Sequence, residues 1–278
     1  MNNHRSYLSN SCIEIIHPDI QRGNIQSALF DFDGTISLIR EGWQSIMIPM
    51  MVELLQQTPL SEEKTIIERV VNEFVTRLTG KQTIYQMIQL CTEIEKRGGT
   101  AKDPFEYKQL YNDRLNQHIA ERIAGLKSGR FNAKELVVPG SLEWLNILKD
   151  KGTTCYLASG TDEKYVLEEV ELLGLMPYFS GVYGARDNYR DFSKKMIIDQ
   201  IIQNHALHGS NFVAFGDGYV EIEDTKSVNG IAVGLATDER NRVGVDEWKR
   251  SRLIDAGADL IIPDFREFTK LEAYLFDY

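Results

Sequence analysis

Six short apolar runs, each ending near small or acidic residues, set the strongest limit on how this chain can fold. Amphipathic stretches separate several of the runs, and strands that alternate with helices form a parallel sheet covered on both faces. Ligands of such sheets bind beyond the carboxyl ends of the strands. The runs predicted as strands are Ala28–Phe30, Thr154–Ala158, Gly181–Tyr183, Phe212–Phe215, Ile231–Leu235 and Leu260–Ile262.

A purely helical pattern fills the segment that follows the first predicted strand. Its apolar residues recur at the spacing of one helix face, as in the stretch from Ile66 to Leu78. We therefore predict an α/β protein with a Rossmann-like three-layer core, a mainly parallel sheet and an inserted all-helical cap. The core is expected over residues 1–37 and 131–278, and the cap over 38–130.

The charge balance excludes some classes of function. The 278 residues carry a net charge of −10, which argues against a protein that coats nucleic acid or binds a membrane surface. A phosphate-bearing ligand would be repelled by this background, so local positive groups would have to offset it. The three cysteines form no CxxC pair, which favours reduced thiols and a cytoplasmic location over a disulfide framework or a zinc site. No apolar run resembles a signal peptide or spans a bilayer.

Two carboxylates follow the first strand directly, in the sequence Phe30-Asp31-Phe32-Asp33-Gly34. Side chains two residues apart on a strand point to the same side, so Asp31 and Asp33 are expected to project together. Adjacent carboxylates repel each other unless a cation or a shared proton intervenes, and a hard divalent ion such as Mg²⁺ suits oxygen ligands. A turn built on Asp-Gly is the structural alternative.

Three further strand ends carry polar groups. Ser159 and Gly160 precede a predicted helix, where backbone N–H groups and a hydroxyl suit a phosphate oxygen. Lys194 and Lys195 open another predicted helix, a position that the helix dipole disfavours for a cation. The candidate metal-binding acids are Asp217, which is flanked by glycines, and Glu221. Helix capping or solvent exposure explains each group singly, but topology brings all of them to one edge of the sheet.

The order of these residues resembles the four motifs of the haloacid dehalogenase superfamily of phosphohydrolases, which includes phosphoglycolate and phosphoserine phosphatases. The motifs are DFDGT at residues 31–35, then Ser159, then Lys194, then GDGYVE at residues 216–221. The resemblance covers residues 26–36 and 137–265, and the position of the helical segment matches a C1-type cap. It implies a Rossmann-like fold and phosphate chemistry with Mg²⁺.

The resemblance also implies a role for each residue. Asp31 would be the nucleophile, and Asp33 would protonate the leaving oxygen and later accept a proton from water. Ser159, with Gly160, would bind the phosphoryl group, whose charge Lys194 would neutralise. The metal would be held by Asp31, Asp217 and the backbone carbonyl of Asp33. Glu221, where the family usually has aspartate, would ligate it either directly or through water.

The expected function is therefore hydrolysis of a small-molecule phosphomonoester through an aspartyl-phosphate on Asp31. A phosphomutase of the same superfamily and a non-catalytic phosphate-binding module are the alternatives. Specificity is expected from the cap segment, with Arg40 and Lys81 as candidate substrate-binding residues and a solvent-facing role as their alternative interpretation. The sequence names neither the substrate nor the oligomeric state.

Overall fold

The protein is described by a computed structural model that covers residues 5–186, 194–204, 206 and 209–277, with the backbone alone at Lys194 and Ile197. It confirms the predicted α/β, Rossmann-like fold with a mainly parallel sheet. All six predicted strands are present, and a short seventh precedes them. The strands are β1 Glu14–Ile15, β2 Ser27–Phe30, β3 Thr154–Asp162, β4 Gly181–Ala185, β5 Phe212–Gly216, β6 Ile231–Leu235 and β7 Leu260–Ile262.

The order of strands across the sheet is β1-β7-β6-β5-β2-β3-β4, and every pairing is parallel except that of β1 with β7. This order places β2 inside the sheet, between β5 and β3. Phe30 at the end of β2 lies opposite Phe215 of β5 and Leu157 of β3. β2 and β5 therefore end at the same edge of the sheet, as the sequence predicts for a parallel sheet, and β3 continues past that edge to Asp162.

The chain folds into two compact units. One consists of Met1–Glu41 with Gly125–Tyr278 and contains the sheet, and the other is the helical segment Gly42–Ala124. None of the helices in the described part of the chain has the length and apolar character needed to cross a membrane. The helices are α1 Gln44–Gln56, α2 Lys64–Leu78, α3 Thr83–Lys96, α4 Pro104–Lys127, α5 Ser141–Asp150, α6 Glu163–Leu172, α7 Lys194–Asn204, α8 Tyr219–Ser227, α9 Glu247–Asp255 and α10 Phe268–Phe276.

Apolar side chains fill both sides of the sheet because successive residues of a strand face opposite ways. Leu29 packs in a buried cluster with Ile198 and Ile201 of α7. Its neighbour Phe30 stacks instead on Phe215, with ring centroids 4.8 Å apart, and the ring of Trp144 from α5 lies edge-on to Phe215 at 5.6 Å. The sheet is thus anchored from both faces, which fixes the edge at which the polar residues emerge.

The helical unit has its own core and its own buried charges. In α2 the buried residues Ile67, Val71, Phe74 and Val75 recur at helical spacing, as the amphipathic pattern predicts. The guanidinium of Arg97, which is 5% exposed, donates to both Glu62 and Glu93 at 2.6–3.0 Å. This paired arrangement satisfies a buried cation within the unit.

Candidate active site

Three carboxylates meet at the carboxyl edge of the sheet. Asp31 follows β2, Asp217 follows β5, and Glu221 lies in the first turn of α8. One oxygen from each residue lies within 4.8 Å of the others, so the three could hold a metal ion together. Asp31 and Glu221 are buried, which makes their mutual repulsion costly without a compensating cation.

The position of Glu221 depends on the glycines of its loop. Its Oε1 accepts a hydrogen bond of 2.9 Å from the backbone N–H of Gly218, so the carboxylate folds back over the end of β5. A Cβ atom on Gly216 would lie 2.2 Å from Cγ of Glu221, a distance that no side chain tolerates. Gly216 is therefore required for this carboxylate to reach the strand end.

Asp33 is held by the two hydroxyls of the neighbouring strand. Ser159 and Thr161 of β3 donate to its Oδ2 at 3.2 Å and 2.8 Å. Ser159 Oγ also accepts the backbone N–H of Thr161 at 3.0 Å, which orients the pair. Within the described residues, the buried Oδ1 of Asp33 accepts no hydrogen bond. Sequence reasoning ended this strand at Ala158, whereas β3 continues to Asp162 and so carries both hydroxyls past Asp33.

The turn after Asp33 brings the two halves of the site together. Gly34 has φ +77°, a conformation that favours glycine. Thr35, which is fully buried, accepts the backbone N–H of Asp217 on its Oγ1 at 3.0 Å. The DFDGT segment thereby fixes the loop that carries Asp217, a role that the sequence analysis did not assign to Thr35.

Arg40 is buried rather than solvent-facing. Its Nε and Nη2 donate to Glu169 Oε1 of α6 at 3.0 Å and 2.7 Å, and its Nε lies 3.9 Å from Oδ1 of Asp33. Burial raises the pKa of Glu169 to about 7, although the charge of Arg40 opposes the rise. The guanidinium therefore serves as a fixed positive charge beside Asp33, and a direct contact with substrate stays a prediction.

A second buried cation lies beside Asp217. Lys249 of α9 is 9% exposed, and its Nζ contacts Asp217 Oδ2 at 2.7 Å and Glu239 Oε1 at 2.6 Å. Burial alone would lower the pKa of Lys249, but the two carboxylates outweigh it and raise the pKa above its ordinary value. Burial raises the pKa of Glu239, an effect that Lys249 opposes.

The other predicted site residues are Lys194, Lys195, Gly160 and Lys81. The side chain of Lys194 lies outside the described residues, and α7 begins at this position. The amine of Lys195 bonds Asp224 at 2.6 Å. Gly160 lies within β3, and Lys81 is an exposed residue of the helical unit, so its part in substrate binding stays a prediction.

Sequence reasoning missed Thr161, Glu169, Glu239 and Lys249 as members of the site. The sequence contains a signal for Glu169 and Lys249, because each is a charged residue on the helix face whose other buried residues are apolar. Glu169 adjoins the buried Val170 and follows the buried Val166 by three residues, and Lys249 precedes the buried Leu253 by four. Charged residues are almost never buried without a partner, so such positions indicate buried ion pairs.

Comparisons with known proteins agree with this architecture. The model of one protein family, described as haloacid dehalogenase-like hydrolase, matches residues 25–223. The sequence matches none of the curated proteins with which it was compared.

Several solved structures share the fold at low sequence identity. A predicted phosphoglycolate phosphatase from Haemophilus somnus is 15% identical with a TM-score of 0.58, over 89% of this chain and 98% of that one. β-Phosphoglucomutase from Clostridium difficile is 15% identical with a TM-score of 0.60, over 91% and 98%. A predicted phosphatase from Clostridium acetobutylicum is 16% identical with a TM-score of 0.56, over 89% and 97%.

Proposed function

Because the chain belongs to the haloacid dehalogenase-like hydrolases, we propose that it is a magnesium-dependent phosphatase of small phosphomonoesters. The observation that carries the proposal is the convergence of Asp31, Asp217 and Glu221 within 4.8 Å, beside an Asp33 held by two hydroxyls. A nucleophile, a proton donor and an oxygen-rich cation site are the groups that phosphoryl transfer through an aspartyl intermediate requires.

The donor set fits Mg²⁺ by its chemistry. All three converging groups are carboxylates, and hard divalent cations prefer oxygen ligands. Asp31, Asp217 and Glu221 would hold the ion, together with the backbone carbonyl of Asp33 that the family resemblance implies. When bound, the ion would neutralise charge on the phosphoryl oxygens and on the carboxylates around it.

The protein residues would then divide the reaction into two steps. In the first, a carboxylate oxygen of Asp31 forms a bond to phosphorus while the ester P–O bond breaks, and Asp33 gives its proton to the leaving oxygen. In the second, a water oxygen bonds to the same phosphorus, its proton passes to Asp33, and the bond to Asp31 breaks to release phosphate. Ser159 and Thr161 hold Asp33 in place through both steps.

Binding of the phosphoryl group is assigned to Ser159, Gly160 and Lys194. Arg40 and Lys81 are retained as candidates for the rest of the substrate, with specificity arising in the helical unit, which would act as a cap. The net charge of −10 disfavours a nucleic acid as the partner and is consistent with a small phosphoester. A cytoplasmic location is part of the same proposal.

The test is release of inorganic phosphate from an aryl phosphate and from a panel of phosphorylated metabolites, with Mg²⁺ and after chelation. Asp31→Asn should abolish turnover, whereas Asp255→Asn, at an exposed aspartate of α9, should retain it. Normal turnover by Asp31→Asn would refute the proposal. A requirement for a sugar bisphosphate with little net release of phosphate would assign a phosphomutase instead.

A further inference from the structure

Lys249 is an unusual lysine because its ammonium group is enclosed between two carboxylates rather than exposed to water. Its Nζ lies 2.7 Å from Asp217 Oδ2 and 2.6 Å from Glu239 Oε1, and its side chain is 10% exposed. Asp217 is also one of the three residues whose oxygens converge on the candidate metal site. One carboxylate is therefore shared between a protein cation and the proposed position of a metal ion.

The fold holds Lys249 in this place from several directions. The side chain of Asp246 caps α9 by accepting the backbone N–H groups of Trp248 and Lys249. The backbone N–H of Asp246 donates to Ala236 O at 2.8 Å, which ties the start of the helix to the end of β6. One turn further on, the buried Leu253 anchors α9 in the core. Lys249 thus belongs to a helix that is fixed at its start and in the core, so its contact with Asp217 follows from the fold.

Space for the two carboxylates is made by Gly34 of the DFDGT segment. A Cβ atom at Gly34 would lie 2.4 Å from Oδ2 of Asp217 and 3.0 Å from Oε1 of Glu239. The same glycine that turns the chain away from Asp33 therefore lets both acids approach the amine of Lys249. This links the ion pair to the central motif of the site rather than to a separate surface cluster.

The charges around Lys249 indicate how it affects the binding of a metal ion. The ammonium of Lys249 contacts the carboxylates of Asp217 and Glu239, and those of Asp31 and Glu221 converge with Asp217 at the candidate metal site. Without a metal ion, this ammonium offsets part of their repulsion. With a divalent ion bound, the ammonium and the ion repel each other across the shared carboxylate. The lysine accordingly favours the metal-free protein more than the metal-bound protein.

We propose that Lys249, held by Glu239, is a positioning residue that keeps the carboxylates of the site assembled without metal and weakens their affinity for a divalent cation. The proposal rests on the metal site of the proposed function, and it concerns binding rather than turnover. By linkage, any preference of Lys249 for the metal-free protein must appear as an equal loss in metal affinity. Two independent measurements therefore report the same quantity.

The first measurement is Mg²⁺ binding by isothermal titration calorimetry, with the full chain and no substrate. Lys249→Met keeps the length of the side chain and removes its charge, so it should lower the Kd for Mg²⁺ by about tenfold. Lys249→Arg keeps the charge and should restore a Kd near that of wild type. Glu239→Gln removes an anion from the same cluster and should raise the Kd by about tenfold.

The second measurement is the thermal midpoint with and without saturating Mg²⁺. Lys249→Met should lower the midpoint strongly in the metal-free protein and less when Mg²⁺ is bound. Lys226→Met is the matched control, because Lys226 pairs with the buried Asp259 at 2.8 Å and 2.9 Å at the opposite, amino end of β7. This control should lower both midpoints equally and leave the Kd unchanged.

An unchanged or higher Kd in Lys249→Met would overturn the proposal, since it would give the lysine a purely structural part. If that variant does not fold, Lys249→Gln, which also removes the charge, decides in the same titration: a lowered Kd supports the proposal, and an unchanged or raised Kd overturns it. Because no substrate is present, a protein that binds Mg²⁺ as described but hydrolyses no phosphoester would refute the proposed function alone.

Discussion

The buried carboxylate of Glu169 should make the stability of the protein depend on pH with an unusual sign. Glu169 is 2% exposed, and burial raises its pKa from an ordinary value of 4.5 to about 7. Between these values the folded chain binds a proton that the unfolded chain has lost. The free energy of unfolding therefore falls as pH rises through this range, and the loss is complete above pH 7.

The size of the effect follows from the two pKa values. Their difference, at 1.36 kcal/mol for each pH unit, corresponds to about 3 kcal/mol of unfolding free energy. Glu169→Gln is close in shape to the protonated acid, keeps an oxygen that can accept from Arg40, and does not titrate. Relative to wild type, the variant should therefore gain about 3 kcal/mol of stability between pH 5 and pH 8.

Urea denaturation at pH 5 and pH 8 measures this difference. Trp144 is fully buried in the unit that contains the sheet, so its fluorescence reports the unfolding of that unit when Trp43 and Trp248 are replaced by phenylalanine in all chains. Other titrating groups are common to the two proteins and cancel in the comparison. Equal pH dependence of wild type and Glu169→Gln would refute the reasoning, as would a relative gain at pH 5. Glu171→Gln, at an exposed site on the same helix, should follow wild type throughout.

Three further substitutions test other parts of the site and core. Gly34→Ala, at φ +77° and with its Cβ 2.4 Å from a carboxylate oxygen, should lower the thermal midpoint and weaken Mg²⁺ binding in calorimetry. Gly129→Ala, at φ +71° in open space, is its control and should cost only the backbone strain of about 1–2 kcal/mol and leave Mg²⁺ binding intact. Thr161→Val removes a 2.8 Å hydrogen bond to the proposed general acid and should lower kcat by about tenfold in the phosphate-release assay, with little change in KM. Phe215→Ala opens a cavity in a fully buried aromatic cluster and should cost about 3–5 kcal/mol in urea denaturation.

The sheet could be predicted because most of its strands have a local signal in the sequence. Each of the six apolar runs is long enough to form a strand that is buried on both faces of the sheet, and each is a strand in the structure. β1 was missed because its two residues, Glu14 and Ile15, have no periodicity. Its acid is fixed instead by Arg250, 236 residues away, at 2.6 Å. A strand held by such a long-range ion pair has no signal in the residues around it.

The same contrast explains which site residues could be found. Asp31 and Asp217 directly follow strands, so topology alone brings them to one edge of the sheet. Two other members of the site, Glu169 of α6 and Lys249 of α9, come from helices elsewhere in the chain. Glu169 meets Arg40 across 129 residues, and Lys249 meets Asp217 across 32. Pairings of this kind depend on how helices pack, which a local pattern does not encode.

The buried cations Arg40 and Lys249 partly offset the negative charge that the composition gives the protein. A chain with a net charge of −10 repels a phosphate ester at long range, yet the proposed reaction needs one to approach several carboxylates. Arg40 lies 3.9 Å from Asp33 and Lys249 lies 2.7 Å from Asp217, so each pole of the site has a protein cation fixed beside it. Each cation also has a buried partner, Glu169 or Glu239, that holds it in place and limits how much positive charge it presents. The two cations thus offset the charge of the carboxylates rather than the charge of a phosphoryl group. The proposed reaction therefore needs the additional positive charge that a divalent ion would supply.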